Sequence, residues 1–197
     1  MKLKACGLSN ADEVKFCIEN KVSYCGFILN YKKSHRFISL EVAKALTNIK
    51  KEKTKFVGVL VEPSYEELEI YSNLNLDYFQ LYGKYNSNRI AEIKKKFNKK
   101  IITAVQVNQP ADIQKYKIVE KNSDIILWDS SGYEKSLSWD FSLLKSVSSN
   151  VEKMVAGNIT IDKLNYLVNL ADIVDVSGAL ETNKVKDINK IKKFVTK

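Results

Sequence analysis

The chain has 197 residues, of which 45% are apolar and 28% charged, and its formal net charge is +9. This composition is typical of one soluble globular domain and excludes a disordered or collagen-like chain. No apolar run approaches the roughly 20 residues that span a bilayer, and no signal-peptide core is evident. The three cysteines do not indicate a disulfide framework. We therefore expect residues 1–197 to form a single domain with reduced thiols in the cytoplasm.

The positive charge is spread along the chain rather than concentrated. Lysines occur in short groups such as 94–96, near predicted helix ends, where cations are favourable. Nucleic-acid modules instead place their charge on one face and mix it with stacking aromatic residues. We interpret the lysines as a solvated surface that helps to attract anionic small substrates, and we expect no nucleic-acid and no membrane partner.

Eight short apolar runs alternate with amphipathic segments along the whole chain. Most of the runs are apolar at nearly every position, as expected for parallel strands that are covered on both faces. The predicted strands are residues 3–6, 24–29, 55–61, 78–82, 101–107, 124–129, 153–157 and 173–177. Several helices between them have recognisable starts.

Asn10, Ser39 and Ser64 each precede acidic residues, and this pattern predicts helix N-caps. Pro110 predicts a further helix through residue 120. Asp140 is interpreted as the cap of a helix that runs through residue 147, after a loop at 130–139.

The alternation predicts an α/β protein, a single compact (β/α)8 TIM barrel with short loops, because eight units in this length average about 25 residues each. An open doubly wound sheet is the structural alternative, although two of the strands would then have to be misread. Active sites of (β/α)8 barrels lie at the carboxyl ends of the strands. The residues at those ends are therefore the candidates for function.

A thiol and a carboxylate end two of the strands. Cys6 closes the first strand and is followed by Gly7, which lets backbone approach a ligand closely. Asp129 closes the apolar sixth strand and is either a helix cap or a catalytic group. Cys6 and Asp129 are thus a candidate base and acid facing one pocket, whereas Cys17 and Cys25 are interpreted as small buried side chains.

Other strand ends carry residues suited to binding anions. The segments 156–158 and 177–179 consist of small residues that expose backbone N–H groups, and barrels commonly bind phosphate between the seventh and eighth loops. Arg36 suits a carboxylate, or is a solvated loop residue. Asp175 interrupts an apolar strand and is either structural or a pocket residue. His35 is the only histidine and is taken as a surface residue, so no metal site is predicted.

Together these segments resemble the phosphoribosylanthranilate isomerase family of tryptophan biosynthesis, from Lys4 to Asp187. Each matching segment is short, but their joint order and spacing are specific. The segments are Lys4-Ala5-Cys6-Gly7-Leu8, Gly26-Phe27-Ile28, Ser34-His35-Arg36-Phe37-Ile38-Ser39, Val57-Gly58-Val59, Gln80-Leu81-Tyr82-Gly83, Leu127-Trp128-Asp129-Ser130, Ser138-Trp139-Asp140, Val155-Ala156-Gly157 and Val174-Asp175-Val176-Ser177.

The resemblance implies an aldose–ketose isomerase, an intramolecular oxidoreductase that needs no cofactor. It would convert N-(5-phosphoribosyl)anthranilate to 1-(2-carboxyphenylamino)-1-deoxyribulose 5-phosphate by an Amadori rearrangement, as a monomer or homodimer. Asp129 would be the general acid at the furanose ring oxygen and Cys6 the general base at C2 of the opened Schiff base. Arg36 would hold the anthranilate carboxylate. Further substrate contacts would come from Gly7, Gln80 and Asp175, and phosphate contacts from Gly157, Asn158, Ser177, Gly178 and Ala179.

Four positions depart from the family pattern. Asn158 follows Gly157 where paired glycines are usual, and Ser177-Gly178-Ala179 replaces Ser-Ser-Gly. Tyr82 stands in place of a histidine, and residues 131–136 replace a Gly-rich loop. The first two departures bear on phosphate geometry, and the last bears on closure over the substrate.

The implied chemistry requires an ionised Cys6 thiol and a protonated Asp129 carboxyl group. At pH 7 an unperturbed thiol is only a few per cent thiolate, and an unperturbed aspartic acid is only about 0.1% protonated. We therefore predict that local donors or strand-end amides favour the thiolate of Cys6.

Two other functions remain open at this point. One is another sugar-phosphate isomerase of the barrel class, including the related histidine-pathway enzyme. That reaction typically uses two aspartates, so Cys6 argues against it. The other is a non-catalytic basic barrel that binds RNA or protein, for which salt-dependent RNA binding without turnover is expected.

Overall fold

Eight parallel strands pair in chain order, and the eighth pairs with the first to close a barrel. The computed structural model describes residues 1–130 and 137–197. The strands are β1 Lys2–Cys6, β2 Tyr24–Ile28, β3 Lys55–Val61, β4 Tyr78–Tyr82, β5 Lys100–Val107, β6 Ile125–Ser130, β7 Glu152–Val155 and β8 Ile173–Val176. The predicted (β/α)8 barrel is confirmed, and the open doubly wound sheet is excluded because the sheet has no free edge.

Helices connect most of the strands on the outside of the barrel. The α-helices are α1 Ala11–Glu19, α2 Leu40–Thr47, α3 Tyr65–Ser72, α4 Ser87–Phe97, α5 Leu164–Leu167 and α6 Ile188–Val195. The caps predicted at Asn10, Ser39 and Ser64 are confirmed, since each side chain accepts a hydrogen bond from the backbone N–H three residues later. Within the described residues, no helix has the length and apolar character needed to cross a bilayer.

The connections after β5 and β6 contain helices in the predicted places. Both are 3₁₀ helices, Pro110–Ile118 and Phe141–Ser146, and the first ends before the predicted residue 120. The physical reason is the spacing of their buried residues, which recur every third position and match the 3.0 residues per turn of a 3₁₀ helix. These residues are Ile113, Tyr116 and Val119 in one connection and Phe141, Leu144 and Val147 in the other. Asp140 caps the second helix as predicted, accepting from Ser142 N at 2.9 Å.

Strand alternation determines which side chains enter the barrel. Successive residues of a strand point to opposite faces, so Lys4 and Cys6 share the interior with Gln80 and Tyr82. Toward the amino ends, the interior is filled by large and apolar side chains, including Tyr24, Tyr78, Val57, Ile102, Ile125, Met154 and Ile173. The outer faces of the strands pack against the helices in a larger core that contains Cys17 and Cys25. Both of these cysteines are fully buried, as predicted.

A short hairpin that the sequence analysis did not predict follows β8. Its strands are β9 Glu181–Thr182 and β10 Val185–Lys186, paired antiparallel. Asn183 and Lys184 between them have φ values of 52° and 65°, as a two-residue hairpin turn of type I′ requires. The hairpin register places Lys186 directly opposite Glu181.

Candidate active site

A cavity of about 790 Å³ of empty space opens at the carboxyl end of the barrel. Cys6 and Asp129, from strands on opposite sides of the barrel, both line it. All but one of the other site residues predicted from the sequence also line the cavity. They are Arg36, Gln80, Gly157, Asn158, Asp175, Ser177, Gly178 and Ala179.

The exception is Gly7, which does not line this cavity and lies behind Arg36 instead. Its φ of +76° is in the left-handed region, and a Cβ placed there would be only 2.5 Å from Arg36 Cδ. Gly7 therefore makes room for the arginine side chain. Its contact with substrate stays a prediction.

Lys4 is a fully buried cation beside Cys6, and no role was predicted for it from the sequence. Its ammonium group lies 2.8 Å from Asp175 Oδ2, and the two residues are direct neighbours in the register of β1 and β8. Gly26 lies next to both Lys4 and Cys6: a Cβ there would be 2.9 Å from Cys6 Sγ and 3.1 Å from Lys4 Nζ. Asp175 is thus both a structural partner and a cavity residue.

The groups around Cys6 shift the pKa of its thiol in opposite directions. Burial and the nearby Asp175 carboxylate raise the pKa of Cys6, whereas the Lys4 ammonium lowers it, and the net direction is upward. Lys4 is the local donor that the sequence argument required. The net direction is nevertheless opposite to the expectation, because burial and the Asp175 carboxylate together outweigh the attraction of the Lys4 and Lys186 ammonium groups.

The Lys4–Asp175 pair leads to a prediction about stability. Lys4→Met removes the salt-bridge partner of a buried carboxylate, so we expect the free energy of unfolding to fall by about 3–5 kcal/mol. Urea denaturation followed by circular dichroism measures this. The double variant Lys4→Met/Asp175→Leu is expected to recover most of the loss because no charge is then left unpaired. A single variant within about 1 kcal/mol of the parent would contradict the prediction.

Asp129 is held by hydrogen bonds to both of its oxygens. Tyr82 donates its hydroxyl hydrogen to Oδ2 at 2.6 Å, and Ser130 N donates to Oδ1 at 2.7 Å. Burial raises the pKa of Asp129 to about 6, while the hydrogen bond from Tyr82 lowers it. A carboxyl group with such a pKa is partly protonated at neutral pH, which suits a general acid.

Arg36 is oriented by Glu181, a residue that the sequence analysis missed. The Arg36 Nε and Nη2 groups both donate to the Glu181 carboxylate, the latter at 3.0 Å, and Lys186 Nζ donates to the same carboxylate at 2.6 Å. Burial opposes the charge on Glu181, but the two cations lower its pKa to about 2. His35, exposed as predicted, also contacts this carboxylate at 3.1 Å. The Asn183-Lys184 turn was the available signal for the hairpin that carries Glu181 and Lys186.

The loop after β7 shows how one departure from the family pattern is accommodated. Gly157 has a φ of +106°, and a Cβ there would be 2.8 Å from the Trp139 ring. Asn158 has a φ of +47°, a conformation that asparagine tolerates better than most residues. Its side chain donates to Ser138 Oγ at 3.0 Å, so this loop packs on the chain that follows β6. The departure at residues 131–136 lies outside the described residues.

On the neighbouring strand end, Ser177 Oγ donates to Cys6 O at 3.0 Å and so joins β8 to β1. The loops after β7 and β8 therefore lie side by side along the cavity, next to Cys6. Within residues 1–130 and 137–197, no group of three or more His, Cys, Asp or Glu side chains is arranged to hold a metal ion.

A closed parallel barrel that presents a thiol, a carboxylic acid and an arginine to one cavity defines an acid–base enzyme of the (β/α)8 class that acts on small anionic molecules. The chain belongs to the N-(5'-phosphoribosyl)anthranilate (PRA) isomerase family, whose sequence model matches residues 3–197. The resemblance seen in the sequence is thereby confirmed.

Individual relatives agree with this family. The N-(5'-phosphoribosyl)anthranilate isomerase of Streptococcus mutans is 33% identical over 197 residues, which cover 98% of this chain and 96% of that protein. The crystal structure of the Thermotoga maritima isomerase has a TM-score of 0.86 and 26% identity, and the match covers 100% of this chain and 97% of that one. A further isomerase structure, in complex with reduced 1-(o-carboxyphenylamino)-1-deoxyribulose 5-phosphate, has a TM-score of 0.81 and 25% identity over the same shares of both chains.

Proposed function

We propose that Cys6 and Asp129 catalyse, at the mouth of the barrel, the reaction of this chain's family, the isomerisation of N-(5'-phosphoribosyl)anthranilate. The chain is an aldose–ketose isomerase of tryptophan biosynthesis that acts on a small phosphorylated substrate. The observation that supports these roles best is that the thiol, the carboxyl group and Arg36 all line one cavity. Residues 1–197 act together as one barrel domain.

In the first step, Asp129 donates its proton to the furanose ring oxygen. The C1–O bond breaks, and the lone pair of the anthranilate nitrogen forms the C1=N bond of a protonated Schiff base. In the second step, the Cys6 thiolate removes the proton from C2. The C2–H electron pair then forms a C1=C2 double bond, and the C1=N electrons return to nitrogen. The resulting enolamine tautomerises to the 2-ketone, so no electrons leave the substrate and no cofactor is needed.

Substrate orientation is assigned to the remaining cavity residues. Asp175 Oδ1 and Gln80 Oε1 are buried oxygens without a hydrogen-bond partner among the described residues. Buried acceptors are normally paired, so these two suit the amine N–H and a sugar hydroxyl of the substrate. The free edge of the Arg36 guanidinium, opposite Glu181, binds the anthranilate carboxylate.

The phosphate group is assigned to the loops after β7 and β8, through Gly157, Asn158, Ser177, Gly178 and Ala179. These residues line one end of the cavity and include small side chains that leave backbone amides accessible. Gly7 contributes to carboxylate binding indirectly, because the absence of a side chain at this position makes room for Arg36.

We also propose a cytoplasmic location, assembly as a monomer or homodimer, and no nucleic-acid partner. All three cysteines are free and buried, and a thiol base works only when it is reduced. Some lysines pair with nearby acids, as Lys94 does with Asp124 and Lys51 with Asp77, which neutralises part of the positive charge. Light scattering distinguishes a monomer from a homodimer. An RNA titration at several salt concentrations tests the proposal that the protein has no nucleic-acid partner.

A fluorescence assay tests the proposed function directly. The unstable substrate is generated in place, and the change in anthranilate fluorescence is followed as the purified chain is added. We expect turnover proportional to the amount of protein, and none with the Cys6→Ser/Asp129→Asn double variant. A rate no greater than the uncatalysed one, from a protein with a cooperative unfolding transition, would refute the function.

The role of Arg36 yields a separate prediction. Arg36→Ala should raise KM by about 10–100-fold with a smaller effect on kcat, because a hydrogen-bonded contact between charged groups is lost. His35→Ala is the matched control, since His35 also contacts Glu181 but is exposed and does not line the cavity. Steady-state kinetics of both variants measure the difference, and an unchanged KM for Arg36→Ala would argue against the carboxylate contact.

A further inference from the structure

Tyr82 lies between a buried amide and the proposed general acid. It is the last residue of β4, points into the barrel and is 9% exposed. Its hydroxyl oxygen is 2.6 Å from Asp129 Oδ2 and 3.3 Å from Gln80 Nε2. Gln80 is two residues earlier on the same strand, so both side chains enter the interior on the same face.

The hydrogen-bonding capacity of these groups determines the direction of the chain that they form. An ionised Asp129 can only accept hydrogen bonds, so the Tyr82 O–H must donate to it. Since the phenol has one hydrogen, its oxygen must accept at the Gln80 contact, where the amide Nε2 donates. The order is therefore Gln80 N–H to Tyr82 O–H to Asp129 Oδ2.

We propose that Tyr82 is the positioning residue of the general acid: held by Gln80, its hydroxyl group fixes Asp129 Oδ2 and stabilises the carboxylate that forms when Asp129 gives its proton to the substrate. This inference rests on the proposed function and assigns a role to a residue that departs from the family pattern. Ser130 N holds Oδ1. The carboxyl plane is thus fixed from two sides.

Among residues 1–130 and 137–197, the other charged and titratable groups that act on Asp129 do not supply this effect. Asp175 on β8 repels the carboxylate, and Lys4 on β1 attracts it, but neither donates a hydrogen bond to it in the structure. Cys6 also lies on β1 and contributes to the electrostatic environment of Tyr82. Burial, the Asp129 carboxylate, Asp175 and Cys6 hold the pKa of Tyr82 well above its usual range, so the phenol keeps its proton and remains a donor.

Tyr82→Phe removes the donor while keeping the ring, and its effects can be measured without turnover. We expect the pKa of Asp129 to rise by about one pH unit, because a hydrogen bond to the charged form is lost. Carbon-13 NMR of protein labelled at the aspartate carboxyl carbons follows this titration, and Asp129→Asn assigns the resonance. In the fluorescence assay at pH 5, where Asp129 is protonated in both the parent and the variant, kcat should fall about tenfold with little change in KM, because the acid is weaker and less well oriented.

Two further variants separate this role from simple packing. Tyr78→Phe is the matched control, because Tyr78 is a buried interior tyrosine of the same strand at the other end of the barrel. It should leave both the pKa of Asp129 and kcat unchanged. Tyr82→His, which restores a ring donor, should return kcat to within about threefold of the parent.

An unchanged Asp129 pKa in Tyr82→Phe, or an unchanged kcat, would overturn the inference. So would an equal effect of Tyr78→Phe, or a Tyr82→His variant that is no more active than Tyr82→Phe. If the parent chain does not turn over the substrate, the proposed function fails together with the catalytic role of Tyr82. The NMR titration still shows whether Tyr82 controls Asp129, so the two failures are distinguishable.

Discussion

Replacing Cys6 by serine is expected to lower kcat by about 10²-fold or more, the usual scale for a general base. The thiol is buried in the barrel beside Lys4 and Asp175, and its pKa is already above the ordinary value of 9.0. A serine hydroxyl at the same place is far harder to deprotonate, so almost no base is present near neutral pH. Single-turnover and steady-state fluorescence measurements give the change in kcat.

Cys17→Ala provides the control for Cys6→Ser. Cys17 is another buried cysteine, but it lies on α1 in the core outside the barrel and does not line the cavity. We expect its kcat to be within about twofold of the parent, because substitutions away from the site act on stability rather than chemistry. A Cys6→Ser variant with near-normal turnover would show that another group removes the C2 proton.

Asp129→Asn is expected to lower kcat by a similar factor, about 10²-fold or more. Asparagine is nearly isosteric and can still accept the hydrogen bond from Tyr82, but it has no proton to give to the ring oxygen. Asp140→Asn is the matched control, since Asp140 is an exposed cap of a 3₁₀ helix. Near-normal kcat in Asp129→Asn, or an equal loss in Asp140→Asn, would remove Asp129 from the mechanism.

The dependence of kcat/KM on pH provides a second measurement of Asp129. The reaction needs Asp129 protonated and Cys6 ionised, yet the pKa of Asp129 is about 6 and that of Cys6 lies above 9.0. Below pH 6, Asp129 is protonated and the rate rises with pH as thiolate forms. Between the two pKa values, the ionised fraction of Cys6 rises with pH by the same factor by which the protonated fraction of Asp129 falls. The fraction of protein with both groups in the active form therefore stays constant at ~10⁻³ or less. Above the pKa of Cys6, the rate falls.

Removing the carboxyl group should therefore change the shape of this profile. In Asp129→Asn only the ionisation of Cys6 remains, so the residual kcat/KM should continue to rise through pH 6 toward pH 9 rather than level off. A plateau that persists in the variant would show that the break near pH 6 belongs to another group. Measurements from pH 5 to pH 9 cover the diagnostic range.

Much of the fold could be predicted because it depends on local patterns. Apolar runs of four to eight residues alternating with capped amphipathic segments require parallel strands covered on both faces, and eight such units are enough to close a barrel. Asn10, Ser39 and Ser64 reveal their helix starts because capping involves only neighbouring residues. The helix that follows Asp140 could be predicted from its cap, and its 3₁₀ type agrees with the three-residue spacing of Phe141, Leu144 and Val147.

The barrel, the position of Cys6 and Asp129 at strand ends, and the family pattern that joins them thus follow from patterns in the chain. The surroundings of these two residues depend on contacts between distant segments. Lys4 and Asp175 are 171 residues apart and become partners through the closing register of β1 and β8. Glu181 reaches Arg36 across 145 residues, and Tyr82 reaches Asp129 across 47. Strand alternation predicts which side chains point into the barrel. Which charged group or hydrogen-bond donor lies next to each of them depends on how the barrel closes. Those contacts set the pKa values on which acid–base chemistry depends.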